Sequence, residues 1–219
     1  MKLNVKDVQK RIVEIAYETG CGHVASALSC SELLVKTYNQ AENDIIILSK
    51  GHGALAQYVI LNMLGKLSDE KLKSYYRGGG ISGHTTLDKD SGIYASTGSL
   101  GHGLAIGIGY AIANPDKRVF VILGDGECEE GSTLESLALI KRLKLQNIIP
   151  VIDVNGWQGF KETEEENLPP KNEAYRYYSI KGGGMGKKLE DLLEAHYAKI
   201  DAKIYKKLVK FIEKQNDKG

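Results

Sequence analysis

The sequence predicts an α/β fold with helices flanking a mostly parallel sheet, on three observations. The first is the stretch Arg118 to Trp157, which reads as an apolar strand (Val119 to Leu123), a Gly-Asp-Gly turn, a helical stretch and a second apolar strand (Ile148 to Ile152). Strand, helix and strand in that succession form a βαβ unit, whose strands run parallel because the crossover helix carries the chain back. The second is Asp44 to Leu48, a further short apolar run that precedes a helical pattern. The third is the helical spacing of apolar residues outside the strands, as at Val5, Val8, Ile12, Ile15 and Ala16.

Size and charge narrow the function classes. With 219 residues the chain can bury a sizeable core. Lys plus Arg number 29 against 28 for Asp plus Glu, a net charge of +1, so no global field points to nucleic acid or an anionic membrane. The basic residues that gather after Lys171 lie on a helical pattern and read as a solvated face. Cys21, Cys30 and Cys128 form no metal-binding spacing, and their odd number suits a reducing compartment. No apolar run reaches the roughly 18 residues a membrane span needs, and the N-terminus enters an amphipathic helix directly. The expectation is a soluble, cytoplasmic protein.

In chain order, the first helix is expected to stop at Gly20. A small-residue loop follows, carrying His23, and Ser29 with Glu32 reads as a capping box opening a second helix. After the strand at Asp44 to Leu48, Gly51 and Gly53 bracket His52 where a helix begins at Ala54. Helix N-termini present unpaired N–H groups and partial positive charge, so this position suits a phosphate. Ser68 begins a short helix, and a glycine-rich loop then carries His84. Ser96 to Gly103 leads into a helix from Leu104 to Ala113, whose Gly103, Gly107 and Gly109 cost helix propensity and imply close packing against another element.

In the βαβ unit, Asp125 follows the first strand and Asn155 the second, at the carboxyl ends where ligands bind in such folds. Oxygen-bearing side chains with flanking carbonyls suit Mg²⁺, which keeps part of its shell for phosphates or water. The inferred ligand is Mg²⁺ with a phosphorylated cofactor.

These residues resemble the transketolase branch of the thiamine diphosphate enzymes. The resemblance lies in Gly124-Asp125-Gly126-Glu127, then Glu130-Gly131 and Glu135, and finally Asp153-Val154-Asn155-Gly156-Trp157-Gln158, with the Leu48-Ser49-Lys50-Gly51-His52-Gly53 run and the Thr97-Gly98-Ser99-Leu100-Gly101 turn upstream. It implies a doubly wound thiamine diphosphate-binding fold, shortened on its C-terminal side. It implies that residues 1–219 form one diphosphate-binding domain, with 161–219 a truncated and divergent part. It assigns His23, His52 and His84 to catalysis on a substrate. It assigns His52, Gly98, Leu100, Asp125, Gly126, Glu130, Asn155 and His196 to the cofactor, although a helix-face role for His196 is equally compatible with its periodicity. The metal ligands it implies are Asp125, Asn155 and the backbone carbonyl of Trp157. His102 stands where the family has Gln and is left out of the catalytic set. Glu130 belongs in relatives to a carboxylate network between active sites, whereas Glu135 reads equally well as an acid near a helix start.

After Trp157 the resemblance weakens. Residues 161–167 read as a charged connector and Pro169-Pro170 as a break, where the family carries a further strand and helix. Tyr177 to Gly184 resembles the family's last strand and glycine turn, and residues 200–215 read as a Lys-rich amphipathic helix; this helix or a partner could cover the exposed sheet edge. The pyrimidine-binding domain of the family, which carries the Glu that activates the cofactor, lies outside these residues. The implied protein is the N-terminal subunit of a split transketolase, paired as α₂β₂ with a pyrimidine-domain subunit and acting on sugars or sugar phosphates, with no nucleic-acid or membrane partner. The alternatives are a subunit of another thiamine diphosphate enzyme, such as a 2-ketoacid decarboxylase or dehydrogenase component, and a non-catalytic binding or regulatory relic.

Overall fold

The computed structural model describes residues 2–20, 22–159, 161–179 and 200–214. Helix α1 (Val5–Thr19) opens at Asn4, whose side chain accepts hydrogen bonds from the N–H groups of Lys6 and Asp7. It ends at Gly20, whose left-handed φ of 67° turns its N–H back to the Ala16 carbonyl. Helix α2 (Val24–Gln40) starts five residues before the expected capping box. Ser29 lies inside it and donates its hydroxyl to the Ser26 carbonyl at 2.9 Å. The cap reading fails because Val24, Ala25 and Ala27 are already buried, so packing of the first turn overrides the local preference of Ser29 for a cap.

Strand β1 (Ile45–Leu48), helix α3 (Ala54–Met63), the short α4 (Asp69–Lys73) and α5 (His102–Ala113) follow. Ser68 caps α4 by accepting from the Lys71 N–H. The βαβ unit is strand β2 (Val119–Gly124), helix α6 (Gly131–Leu143) and strand β3 (Ile148–Val154), with a 3₁₀ turn over Asp125–Glu129 between β2 and α6. The expected connector is instead partly ordered as a small antiparallel hairpin, β4 (Trp157–Gln158) with β5 (Lys161–Glu162). Strand β6 (Tyr175–Tyr178) closes the main sheet, whose order is β1-β2-β3-β6 with every pairing parallel.

Both faces of this sheet are buried, which is why its inner strands are continuously apolar and do not alternate. Ile46, Leu48, Phe120, Ile122 and Val151 face the core shared with α1, α2 and α3. Ile45, Ile47, Val119, Val121 and Leu123 face α5 and α6. The α5 glycines behave as expected at two positions: a Cβ on Gly103 would sit 2.4 Å from the Ser49 Cβ, and one on Gly107 would sit 2.5 Å from Val121 Cγ2. Gly109 faces open space and has no such role.

The last helix, α7 (Ala202–Lys214), buries Leu208 and Ile212. It packs on α1, with Tyr205 stacked on Tyr17 at 4.9 Å between ring centroids and Glu213 paired with Lys10. Of the two occupants expected for the sheet edge, this helix or a partner, the helix is corrected: its apolar stripe is matched by that of α1. Residues 180–199, which include His196 and the expected glycine turn, lie outside the described residues.

Candidate active site

The carboxyl ends of β1, β2 and β3 open into one cavity of about 390 Å³. Three loops bring the histidines together there. His23 precedes α2, His52 lies in the 3₁₀ turn after β1, and His84 follows the glycine-rich loop. The His23 ring lies 5.1 Å from that of His84 and 6.2 Å from that of His52, both edge-on. Side chains with donor and acceptor nitrogens at that spacing can address adjacent oxygens of one polyhydroxylated substrate.

The same cavity is lined by Asp125, Gly126, Asn155 and Trp157, and the Thr97 to Leu100 turn contributes Gly98 and Leu100. Asp125 Oδ1 accepts from the Gly126 N–H at 3.1 Å. Asp125 Oδ2 accepts from the Gly156 N–H and the Thr163 hydroxyl, each at 2.7 Å. Burial pushes the Asp125 carboxyl above its ordinary value, opposed by the Thr163 hydroxyl and the Lys50 ammonium. Glu127, directly below, is fully tied: its carboxylate accepts from Ser49 Oγ at 2.6 Å and from the N–H groups of Gly124 and Gly101 at 2.8 and 2.9 Å. It links the ends of β1 and β2 to the start of α5.

These walls fit a diphosphate with a hard cation. A carboxylate, a side-chain amide and the Trp157 carbonyl give three oxygen donors, the set Mg²⁺ prefers. The floor stays open because two glycines leave room: a Cβ on Gly126 would meet the Gln158 Cβ at 2.6 Å, and one on Gly98 would meet His84 Cδ2 at 2.9 Å. Among the described residues no group of three His, Cys, Asp or Glu could hold a metal, so a cation here depends on the amide and carbonyl oxygens.

Of the expected cofactor residues, one falls elsewhere and one is not described. Glu130 is the N-cap residue of α6 and does not line the cavity. His196 lies outside the described residues. His102 and Glu135 are both exposed. Four residues were not anticipated. Lys50 lines the cavity and pairs with Asp153 at 2.5 Å, the two side chains being 1% and 0% exposed. Desolvation is the largest single influence and pulls the Lys50 ammonium down, but the charge and hydrogen bond of Asp153, with Cys30 and Asp125 nearby, together hold it above its ordinary value. The available signal was a lysine directly after one buried parallel strand and an aspartate at the end of another, which places both at the same end of the sheet. Tyr76 reaches the rim with a left-handed φ of 59°, its ring 6.4 Å from that of His23. Thr163 carried no signal, since it lies in what read as a connector.

The family model described as "Transketolase, thiamine diphosphate binding domain" matches residues 18–212. The chain is 36% identical over 181 residues to an apulose-4-phosphate transketolase subunit of Phocaeicola vulgatus, a match covering 75% of this chain and 64% of that protein. It is 31% identical over 188 residues to the 6-deoxy-6-sulfo-D-fructose transketolase subunit SqwG of a Clostridium species, covering 78% and 68%. It thus spans about two thirds of the length of these curated relatives. Among solved structures, the transketolase of Leishmania mexicana superposes with a TM-score of 0.62 at 27% identity, over 72% of this chain and 28% of that one. A Pichia stipitis transketolase reaches a TM-score of 0.81 over 95% of this chain and 40% of its own, at 22% identity, which speaks to fold alone. With the matched model spanning strands, helices and cavity alike, the chain belongs to the transketolase family through its thiamine diphosphate binding domain.

Proposed function

We propose that this chain is the diphosphate-binding subunit of a split transketolase, moving a two-carbon ketol unit from a ketose or ketose phosphate to an aldose. The observation that carries the reading is that His23, His52 and His84 line one cavity together with Asp125, Asn155 and Trp157. In this reading residues 1–219 form one diphosphate-binding domain of a cytoplasmic enzyme; among the described residues no helix is long and apolar enough to cross a membrane.

Bound thiamine diphosphate supplies a carbanion-stabilising ylid. The chain's own residues do the rest. Asp125, Asn155 and the Trp157 carbonyl would hold Mg²⁺, while Gly126 and His52 would meet the diphosphate. Gly98 and Leu100, which line the same cavity, would border its ring end. His23 and His84 hydrogen-bond the donor's carbonyl and hydroxyl oxygens and move protons between them, a role suited to imidazoles near neutral pH. A simple decarboxylation needs no such proton traffic, so the histidine cluster favours a sugar over a 2-ketoacid.

The pyrimidine-binding half comes from a second chain in an α₂β₂ assembly. Two observations support this: the relatives are named as subunits, and α5 and α6 expose Ile112, Leu134 and Leu143, at 57%, 53% and 45%. Exposed apolar groups of that size on adjoining helices fit a protein interface.

The test is calorimetric binding of thiamine diphosphate with Mg²⁺ to the chain, with and without a pyrimidine-domain partner, followed by a donor screen. Binding that needs the partner and is lost in Asp125→Ala, with turnover of ketoses and not 2-ketoacids, is expected. His84→Ala should lower kcat/KM by roughly 10²- to 10⁴-fold with cofactor binding retained. Absence of cofactor binding in every combination refutes the reading, and turnover of 2-ketoacids alone moves it to the decarboxylase class.

A further inference from the structure

We infer that Thr163 is a positioning residue for Asp125, and that the hairpin β4–β5 serves to deliver it. The inference rests on the reading of Asp125 as a Mg²⁺ ligand. Asp125 lines the cavity, but Thr163 and Gly156 do not; both reach its Oδ2 from outside the lining, at 2.7 Å. Two donors on one carboxylate oxygen fix the rotation of the whole group. Hydrogen-bonded partners behind a metal ligand orient it and raise its affinity for the ion.

Thr163 is ten residues beyond Asp153 in sequence, in a segment of charged residues, so something must bring it back. The chain returns in two steps. At the root of the hairpin, Gly156 has a left-handed φ of 73°, and its carbonyl accepts from the Thr163 N–H at 3.3 Å. At the far end, the Glu129 carboxylate accepts from Gln158 Nε2 at 3.1 Å, Lys161 Nζ at 2.7 Å and Asn167 Nδ2 at 3.2 Å. Glu129 belongs to the same 3₁₀ turn as Asp125. The hairpin is therefore strapped to that turn at both ends, through Thr163 at one and Glu129 at the other. The segment that departs most from the family pattern thus holds the carboxylate ready before the ion arrives.

The test compares wild type, Thr163→Val and Thr163→Ser, each as the full chain with its partner present. Mg²⁺ is titrated by calorimetry at a fixed excess of thiamine diphosphate, and the urea midpoint is measured without ligand. Valine keeps the branched shape and removes the donor; serine keeps the donor. Thr163→Val should weaken apparent Mg²⁺ affinity roughly 10- to 100-fold, and Thr163→Ser should restore most of it; the ligand-free midpoint of Thr163→Val should fall by no more than the loss of one hydrogen bond to a buried carboxylate, leaving the protein folded without urea. Glu129→Gln, which loosens the far strap, should weaken Mg²⁺ in the same direction by less. Equal affinity in Thr163→Val and wild type overturns the role, as does an affinity loss no larger than the unfolded fraction of the ligand-free variant without urea accounts for. If the wild type itself binds no Mg²⁺ with the cofactor, the reading of Asp125 fails first and this inference goes with it.

Discussion

Replacing Lys50 by methionine should remove a large part of the stability of the fold, whereas replacing Lys50 and Asp153 together should not. The Lys50 ammonium and the Asp153 carboxylate meet at 2.5 Å with 1% and 0% of their side chains exposed. Solvent therefore screens neither. Ser29 Oγ lies 3.3 Å from both groups, and the second Asp153 oxygen has no hydrogen-bond partner. Lys50→Met leaves that carboxylate buried with a single weak hydroxyl contact. Breaking one side of such a pair costs about 3–5 kcal/mol, against total stabilities of about 5–15 kcal/mol. Lys50→Met with Asp153→Leu removes both charges and the desolvation each carries, and should lie within about 1 kcal/mol of wild type or above it. Urea unfolding followed by far-UV circular dichroism measures all three, with an unchanged m-value as the condition for comparing midpoints. The expected signature is a coupling energy of several kcal/mol in the double-mutant cycle. A single mutant costing under about 1 kcal/mol, or a double mutant less stable than both singles, refutes the argument that the pair is held dry.

The same pair shows what could and could not be read in advance. The strands, the Gly-Asp-Gly turn and the three loop histidines were legible because each rests on local pattern: apolar runs, glycine flanks and order along the chain. Their convergence also follows from topology, since parallel strands put all their carboxyl ends on one side. Ser29 misled because its capping pattern is local, while the start of α2 is decided by the burial of Val24 and Ala27. The Lys-rich C-terminal helix was recognised but given the wrong neighbour, because periodicity reveals an apolar stripe and not what covers it. Tyr76, Lys50 and Thr163 act through distances that no spacing encodes: a left-handed backbone at a bulky residue, a charge pair between strands and a hydroxyl carried back by a hairpin.

Two further substitutions test the frame around the site. Asp44 accepts from the backbone N–H, Nε and Nη2 of Arg118, which holds its carboxyl below the ordinary value. A depressed folded pKa means stability present above the unfolded value and lost as pH falls through the folded one. Asp44→Asn should thus cost up to about 1 kcal/mol at neutral pH, and the gap to wild type should close in acid; a gap constant from neutral pH down into strong acid contradicts this. The glycines of α5 should separate by sign. Gly109→Ala meets open space and should gain up to about 1 kcal/mol of helix propensity, or about 2–4 °C in Tm. Gly107→Ala gains the same propensity, but its new methyl would lie 2.5 Å from Val121 Cγ2. Overpacking of that kind costs about 1–3 kcal/mol, so the net change runs from neutral to a loss of about 2 kcal/mol. Because the two glycines share one helix and one substitution, propensity cancels in their difference. Thermal unfolding of the pair therefore isolates the contact between α5 and β2, and equal shifts would show that the helix does not press on the strand that leads into Asp125.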